Sequence, residues 1–309
     1  MINLIFMGTP DFSVPALKSL INCKDINVLA VVTNHDKPVG RKQILSPSPV
    51  KVLAMENNIK VLQYDKIRLE GYEDIKALSP DIIVTCAFGQ ILSQEILDIP
   101  RFGVINIHAS LLPKYRGASP IHFAIQNGEK QTGITIMKTE YEVDSGDIIC
   151  QESIDILDKE TTGELFERLS ILGANMIVEA VKNVVSGNVN YIKQDHEKAT
   201  FTKMIKKDMA KIDWNKDANF IYNQIRAFNP SPVAFTFLDG EMLKIYSAKI
   251  GDKKGACGEV ISIKDNLEIA CKNGSIIVEE VQKAGGKRMN IKDFLRGSKI
   301  LEGTILTNG

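Results

Sequence analysis

The stretch FGVINIHASLLP, residues 102–113, joins an apolar segment to a polar turn. Read as a β-strand, it places Asn106 and His108 on the same face, because successive side chains of a strand point to opposite faces. Ile105 and Ile107 then occupy the other face. The two polar side chains lie about 7 Å apart where the strand ends. Polar groups inside a buried strand are destabilising when unpaired, so this placement favours a functional site over a satisfied buried pair.

Apolar segments of the same kind recur through the first half of the chain. They predict strands at residues 2–7, 27–33, 81–88 and 103–108, and a later antiparallel pair at 134–138 and 147–154. Helical patterns separate the early strands, and these strands are continuously apolar, as in a sheet covered by helices on both faces. The alternation predicts an α/β fold with a doubly wound, mainly parallel sheet.

Helix boundaries are signalled by capping residues. Ser48 before Pro49 predicts a helix start, and Thr161 with Glu164 forms a capping box before a long apolar stripe. After Trp214 we expect Asn215 to cap one further helix.

Short strands dominate the last third of the chain. Five are predicted, at residues 233–238, 242–250, 258–263, 267–271 and 275–282. Five short strands separated by glycine-containing turns favour a small barrel, for example an OB-like one. We therefore predict a catalytic domain at 1–187, a linker at 188–206 and a barrel domain at 207–309.

Composition limits the class of protein. The 309 residues are 44% hydrophobic and 25% charged, as in an average soluble globular protein. The mean hydropathy is −0.05, and no run reaches the roughly 18 apolar residues of a membrane span, so we expect no membrane partner. The five cysteines are scattered and never spaced as CxxC. This favours reduced thiols in a cytoplasmic protein and gives no indication of a metal site.

Charge is unevenly distributed although the formal net charge is zero. Residues 201–309 contain 18 Lys and Arg against 13 Asp and Glu, so the remainder of the chain is acidic. A basic second half favours a polyanionic partner. A solvated lysine-rich surface explains the same charge equally well.

The predicted strand end offers groups suited to acid–base chemistry. The imidazole of His108 can act as acid or base near neutral pH, and the amide of Asn106 can donate to a developing oxyanion. Open α/β sheets bind ligands at the carboxyl ends of their strands. Asp144, in a DSG sequence, is typical of an ordinary turn. A carboxylate that met His108 in space would instead fix the tautomer of the imidazole.

Two loops are further candidates. Residues 110–113 (Ser110, Leu111, Leu112 and Pro113) could line a flat apolar pocket. The loop 34–48, which contains Arg41 and Lys42, is either a solvated insertion or a lid that grips an anion. Gly8 follows the first strand, but no GxGxxG sequence is present, which argues against a dehydrogenase.

Several of these segments together resemble a known family. NIH (106–108), SLLP (110–113), YRGASPI (115–121) and TGIT…MK…VDSGDI (132–148) are similar to the formyltransferases that use 10-formyltetrahydrofolate. The resemblance implies that Asn106, His108 and Asp144 are the catalytic trio and that residues 110–113 form the folate-binding turn. It also implies a Rossmann-like domain followed by an OB-like barrel.

The resemblance extends over nearly the whole chain. Residues 6–21, 36–51, 211–214 and 225–235 are similar to the family members that formylate the α-amine of initiator methionyl-tRNA in translation initiation. This implies a folate co-substrate, no metal and a bacterial-type cytosol. A monomer is our default expectation, since the sequence itself does not give the oligomeric state. The tRNA contacts expected from it are Arg41, Lys42, Lys206, Lys207 and Lys211.

Two other interpretations remain open. Members of the family that act on a glycinamide ribonucleotide or an amino sugar would explain residues 106–147 equally well. This interpretation leaves the basic loop, the RAFNP segment (residues 226–230) and the basic second half without a role. A tRNA-binding module with an inactive catalytic half is the other alternative, and the intact trio argues against it.

Overall fold

The structure, a computed structural model, describes residues 1–40 and 43–307. The chain divides into two compact units. The first comprises Met1–Pro120, Gln131–Ile154 and Phe166–Lys203, and the second comprises Ile121–Lys130, Asp155–Leu165 and Met204–Gly309. The domain limits predicted from the sequence stay a prediction.

The first 203 residues alternate strands and helices. In chain order these are β1 (Ile2–Gly8), α1 (Val14–Ile21), β2 (Ile26–Thr33), β3 (Lys37–Val39), β4 (Ile44–Ser46), α2 (Pro49–Glu56), β5 (Lys60–Gln63), α3 (Ile67–Glu70), α4 (Tyr72–Leu78), β6 (Ile82–Cys86), α5 (Gln94–Leu97), β7 (Val104–His108), β8 (Arg116–Gly117), α6 (Pro120–Gln126), β9 (Gln131–Lys138), β10 (Ile148–Asp155), α7 (Thr162–Ser186) and β11 (Phe201–Thr202).

The predicted doubly wound sheet is confirmed. Seven strands lie in the order β10-β9-β7-β6-β1-β2-β5. The five strands from β7 to β5 are parallel, and β9 runs antiparallel to β7. Leu4 to Met7 in β1 and Ile82 to Val84 in β6 are fully buried, as their continuous apolar sequence predicts. The strand of the opening sequence, β7, therefore lies between β6 and β9.

The long helix α7 covers one face of this sheet. Its capping box is confirmed, since the backbone N–H of Thr161 donates to Glu164 Oε2 at 2.8 Å and the N–H of Glu164 donates to Thr161 Oγ1 at 3.4 Å. A Cβ placed on Gly173 would lie 2.9 Å from Ile107 Cγ2, so the helix packs directly on β7. By length and hydropathy α7 is the one described helix that could cross a membrane. Its buried stripe (Leu165, Leu169, Ile177 and Val181) accounts for that hydropathy as a core helix.

The second unit contains a curled antiparallel sheet. Its elements are α8 (Ala218–Ala227), β12 (Phe235–Leu238), β13 (Glu241–Gly251), β14 (Val260–Ser262), β15 (Leu267–Ala270), β16 (Ser275–Lys283), β17 (Met289–Asn290) and α9 (Ile291–Arg296). The strand order is β12-β13-β16-β15-β14, with β17 beside β16. This confirms the predicted OB-like architecture. The end of the chain bridges both edge strands, since Thr307 pairs with Phe237 and Ile305 pairs with Glu259.

Two features differ from the sequence prediction. Asn215 is not the cap of α8: the N-cap is Asp217, and Asn215 instead donates from N and Nδ2 to Asp213 Oδ1. A local side-chain turn therefore competes successfully with helix initiation at that point. The described part of loop 34–48 forms the short antiparallel pair β3–β4, whereas Arg41 and Lys42 lie outside the described residues.

Candidate active site

Asn106 is oriented by a neighbouring strand. In the parallel pairing of β6 and β7 it lies opposite Thr85. The Thr85 hydroxyl donates to Asn106 Oδ1 at 2.8 Å. Since the carbonyl oxygen of the amide is engaged in this way, its Nδ2 is turned to the other side as a hydrogen-bond donor.

His108 is buried, with 6% of its surface exposed. Its Nε2 lies 2.9 Å from the carbonyl oxygen of Tyr115, and its Nδ1 lies 3.5 Å from Asp144 Oδ2. A carbonyl oxygen only accepts hydrogen bonds, so Nε2 carries a proton. Nδ1 is the ring nitrogen that faces the carboxylate. The Tyr115 carbonyl and the Asp144 carboxylate thus lie on opposite sides of the imidazole and fix its orientation.

Asp144 is held in a strained but suitable backbone conformation. Its φ is +50°, in the left-handed region that Asp and Asn adopt more readily than other side chains. The backbone N–H of Gly117 donates to its Oδ2 at 2.7 Å. Gln194 Nε2 donates to the carbonyl oxygens of Asp144 and Gly146, at 2.9 and 2.8 Å. The carboxylate is therefore fixed from both its side chain and its backbone.

The YRG sequence at 115–117 supplies backbone groups to both residues of this pair. Tyr115 provides the carbonyl for His108, and Gly117 provides the N–H for Asp144. Gly117 has φ +103°, and a Cβ on it would lie 2.3 Å from the carbonyl oxygen of Thr202. Only glycine permits this close pairing of β8 with β11.

The SLLP turn is held mainly by Ser110 and Leu112. Ser110 is fully buried, and its hydroxyl donates to the carbonyl oxygen of Lys114 at 2.6 Å. Thr135 Oγ1 donates to the Ser110 carbonyl and accepts from the Leu112 N–H. The Leu112 side chain is buried in a small cluster with Met137 and Ile148. These contacts give Ser110 and Leu112 an internal structural role.

The other two residues of the turn are more accessible. Leu111 and Pro113 are half-buried, so each retains surface that a ligand can contact. Gln151 Nε2 donates to the carbonyl oxygen of Leu112 at 2.9 Å, which fixes the backbone between them.

The structure adds supporting residues that sequence reasoning missed. Arg116 is 3% exposed, and its Nε and Nη2 donate to Gln194 Oε1 at 3.1 and 2.7 Å. Gln194 gave no local signal, since it lies in the segment predicted to be a linker. Thr85 had one: it is a polar residue within an apolar strand, as Asn106 is within its own strand.

A cleft of about 760 Å³ lies at the beginning of β7. Its lining includes Gly103 and Val104, Lys138 at the end of β9, and Tyr141 and Glu142 from the loop that leads to Asp144. A ligand in this cleft would therefore contact the loop that carries the carboxylate.

The remaining candidates are placed as follows. Lys206 and Lys207 are exposed in the second unit, and Lys211 is half-buried there.

Burial raises the pKa of the Cys86 thiol to about 12, so this cysteine at the end of β6 is not a thiolate nucleophile at neutral pH. Within the described residues, no group of three or more His, Cys, Asp and Glu could hold a metal ion.

Solved structures similar to this chain support the fold. The sugar 3N-formyltransferase WlaRD has a TM-score of 0.67 at 23% identity, covering 93% of this chain and 99% of its own. An N-formyltransferase from Helicobacter canadensis has a TM-score of 0.70 at 22% identity, covering 92% of this chain and 100% of its own.

Sequence relatives give a closer assignment. Residues 2–181 match the formyl transferase family, and residues 204–299 match the formyl transferase C-terminal domain. The methionyl-tRNA formyltransferase of Bacillus velezensis is 47% identical and that of Bacillus subtilis 45%, each over 99% of this chain and 98% of the relative. On this likeness, the chain belongs to the methionyl-tRNA formyltransferase family within the formyl transferases.

Proposed function

We propose that this chain transfers the formyl group of 10-formyltetrahydrofolate to the α-amine of initiator methionyl-tRNA, with Asn106, His108 and Asp144 carrying the chemistry. The observation that supports these roles is the 3.5 Å approach of Asp144 Oδ2 to His108 Nδ1 beside the amide of Asn106. The basic second half and the relatives described above support the choice of tRNA as acceptor.

The reaction is an acyl transfer. The neutral amine attacks the formyl carbon and a new C–N bond forms, which places negative charge on the formyl oxygen. The bond from that carbon to N10 of the folate then breaks, and N10 gains the proton that the amine loses. Asn106 Nδ2 donates a hydrogen bond to the oxyanion, and His108, which is held by Asp144, assists in the proton transfer.

Asp144 holds the imidazole and moves the proton. Its Oδ2 accepts from Gly117 and faces His108. Oδ1 receives the proton of the attacking amine, directly or through a water molecule, and returns it to the leaving nitrogen. The backbone contacts of Gln194 keep this carboxylate in place before the substrates arrive.

The folate lies on the face of the sheet that carries Asn106. Leu111 and Pro113 contact its flat rings, since these are the accessible residues of the SLLP turn. The cleft lined by Val104 and Tyr141 holds the end of the folate furthest from the second substrate.

The tRNA phosphates contact lysines of the second unit, namely Lys206, Lys207 and Lys211. Arg41 and Lys42 contribute from the loop, a proposal that rests on the sequence. Removal of one phosphate contact, as in Lys206→Ala or Lys207→Ala, makes the negative slope of log affinity against log salt concentration less steep by about 0.7 to 0.9. An unchanged slope in the double variant contradicts this assignment.

The main experiment measures single-turnover formylation of initiator methionyl-tRNA by the wild-type chain and by Asn106→Ala. Loss of one oxyanion donor lowers the rate by about 10² to 10³. A rate close to wild type contradicts the role of Asn106. Formylation of a glycinamide ribonucleotide or an amino sugar nucleotide, without formylation of tRNA, would instead establish the alternative acceptors.

The finer assignments are part of the same proposal. We place the enzyme in the cytosol as a monomer, with a catalytic domain at 1–187, a linker at 188–206 and an OB-like domain at 207–309. Light scattering of the purified chain tests the monomer, and a mass of twice 34.2 kDa contradicts it.

A further inference from the structure

Phe201 is an exposed aromatic side chain close to the catalytic residues. It is 71% exposed. The next residue, Thr202, points inward: its hydroxyl donates to the Arg116 carbonyl at 3.0 Å and accepts from the Ser119 N–H at 3.3 Å. Since side chains alternate along a strand, this inward contact of Thr202 turns the ring of Phe201 outward.

The position of β11 brings this ring next to the site. Phe201 pairs with Arg116 in the parallel register of β11 and β8. Arg116 stands between Tyr115, whose carbonyl accepts from His108, and Gly117, whose N–H donates to Asp144. Paired strands are about 4.8 Å apart, so Phe201 is one strand spacing from the backbone that holds both catalytic side chains.

The ring of Phe201 also lies next to a buried arginine side chain. The guanidinium carbon of Arg116 lies 6.0 Å from the ring centroid, and Arg116 is itself fixed by Gln194. This cation–π contact leaves the outer part of the ring exposed. Lys203, two residues further along, is exposed as well and adds a positive charge beside it.

We propose that Phe201 is the platform on which the terminal base of the tRNA acceptor end stacks while the methionyl amine is in the site. The inference rests on the proposed function. The methionyl ester is attached to the ribose of the terminal nucleotide, so its base is one sugar and one ester linkage from the reacting amine. The acceptor end is single-stranded, and exposed aromatic rings bind unpaired bases by stacking.

The first test compares substitutions of Phe201 in the full chain. Loss of the stacking of one base on an aromatic ring should raise the KM for methionyl-tRNA about 5- to 150-fold in Phe201→Ala. Phe201→Tyr retains the wild-type KM because it keeps an aromatic face, and Phe201→Leu behaves as Phe201→Ala. Folate affinity and melting temperature stay unchanged in all three. A Phe201→Leu enzyme with the wild-type KM overturns the proposal.

The chain offers a matched control in Phe220. It is also exposed, at 42%, and also lies under a cation, with Lys216 Nζ 5.9 Å from its centroid. Phe220→Ala should leave the KM for methionyl-tRNA at its wild-type value. An equal rise of KM in both alanine variants overturns a specific role for Phe201.

The second test changes the tRNA. Methionyl-tRNA with an abasic terminal nucleotide should raise the KM of the wild-type chain by the same factor as Phe201→Ala, with no further rise when both changes are combined. Multiplicative effects overturn the stacking and indicate contact with the methionyl side chain instead. If the wild-type chain does not formylate methionyl-tRNA, the proposed function is wrong. If the wild type is active and Phe201→Ala has wild-type kinetics, only the stacking proposal is wrong.

Discussion

The surroundings of β7 and the core of the second unit are built from different kinds of side chain. Around β7, Thr85, His108, Arg116 and Gln194 are buried, and each has a defined hydrogen-bond partner. The core of the second unit is an apolar cluster of 21 buried residues, in which the nitrogen of Trp214 bonds to Thr236. Lys206 and Lys207 are exposed at the surface of this unit.

This difference predicts that substitutions in the two regions affect different properties, namely turnover and stability. A buried polar network fixes the geometry of a few atoms, because each group has a direction as well as a partner. An apolar core provides free energy of folding and leaves the surface to bind a polyanion. Substitutions near β7 should therefore change turnover most, and substitutions in the second core should change stability most.

Asp144→Asn should produce the largest effect. Asn tolerates the left-handed backbone conformation, and its side-chain oxygen still accepts from Gly117. The variant lacks only the charge and the basic oxygen, so the turnover with methionyl-tRNA should fall by about 10² to 10⁴. The melting temperature should stay near that of the wild type. Single-turnover kinetics with thermal unfolding check both, and wild-type turnover contradicts the mechanism.

Leu306→Ala tests the other side of the comparison. Leu306 is 2% exposed in the second core, and its N–H donates to the Gly258 carbonyl at 2.8 Å within the segment that bridges the edge strands. Removal of a buried leucine side chain lowers the free energy of unfolding by about 2 to 5 kcal/mol. The turnover of the folded enzyme should not change.

Leu301→Ala is the matched control, because Leu301 is 66% exposed a few residues earlier. Its change in unfolding free energy should stay within about 0.5 kcal/mol. Urea unfolding monitored by Trp214 fluorescence measures both variants. Equal stability of Leu306→Ala and Leu301→Ala would show that the chain end does not contribute to the core.

Gln194→Ala should affect both quantities and so sharpens the comparison. It removes the side-chain partner of the Asp144 and Gly146 carbonyls and one of the partners of the Arg116 guanidinium. Unsatisfied buried groups lower the free energy of unfolding by about 1 to 3 kcal/mol. Displacement of the Asp144 loop should reduce turnover about tenfold, less than the direct loss of the carboxylate. Gln126→Ala, whose amide makes only a 3.4 Å surface contact, serves as the control.

The sheet and the strand face of the site could be predicted because their signals are local. Continuous apolar sequence marks buried parallel strands, and the two-residue period places Asn106 and His108 together. The turn at Asp239-Gly240 also follows from residue type: both residues have positive φ, as a two-residue hairpin requires.

The remaining features depend on contacts between distant residues. Asp144 has the sequence of an ordinary turn, and only the family resemblance linked it to His108. Gln194 is 50 residues from Asp144 and reaches it by a single side chain, for which no sequence pattern exists. The chain end pairs through backbone groups, for example Thr307 with Phe237, and such groups are the same in every residue type.

Thr161→Ala, at the start of α7, should have the smallest effect. It should change the stability of the protein and leave its turnover unchanged. Hydrogen bonds from the backbone N–H and then the hydroxyl of Thr161 lower the pKa of Glu164 below its usual 4.5. A carboxyl group whose pKa is lowered in the folded state stabilises the protein at pH values above its unfolded-state pKa. This contribution is lost as the pH falls through the folded-state pKa. Thr161→Ala removes the hydroxyl contacts, so the free energy of unfolding at pH 7 should fall by about 1 kcal/mol. As the pH falls from 7 towards 3 the difference between Thr161→Ala and wild type should shrink, because the contribution of the ionised Glu164 is progressively lost. Urea unfolding at the two pH values measures this, and a difference that is larger at pH 3 contradicts the capping role of Glu164.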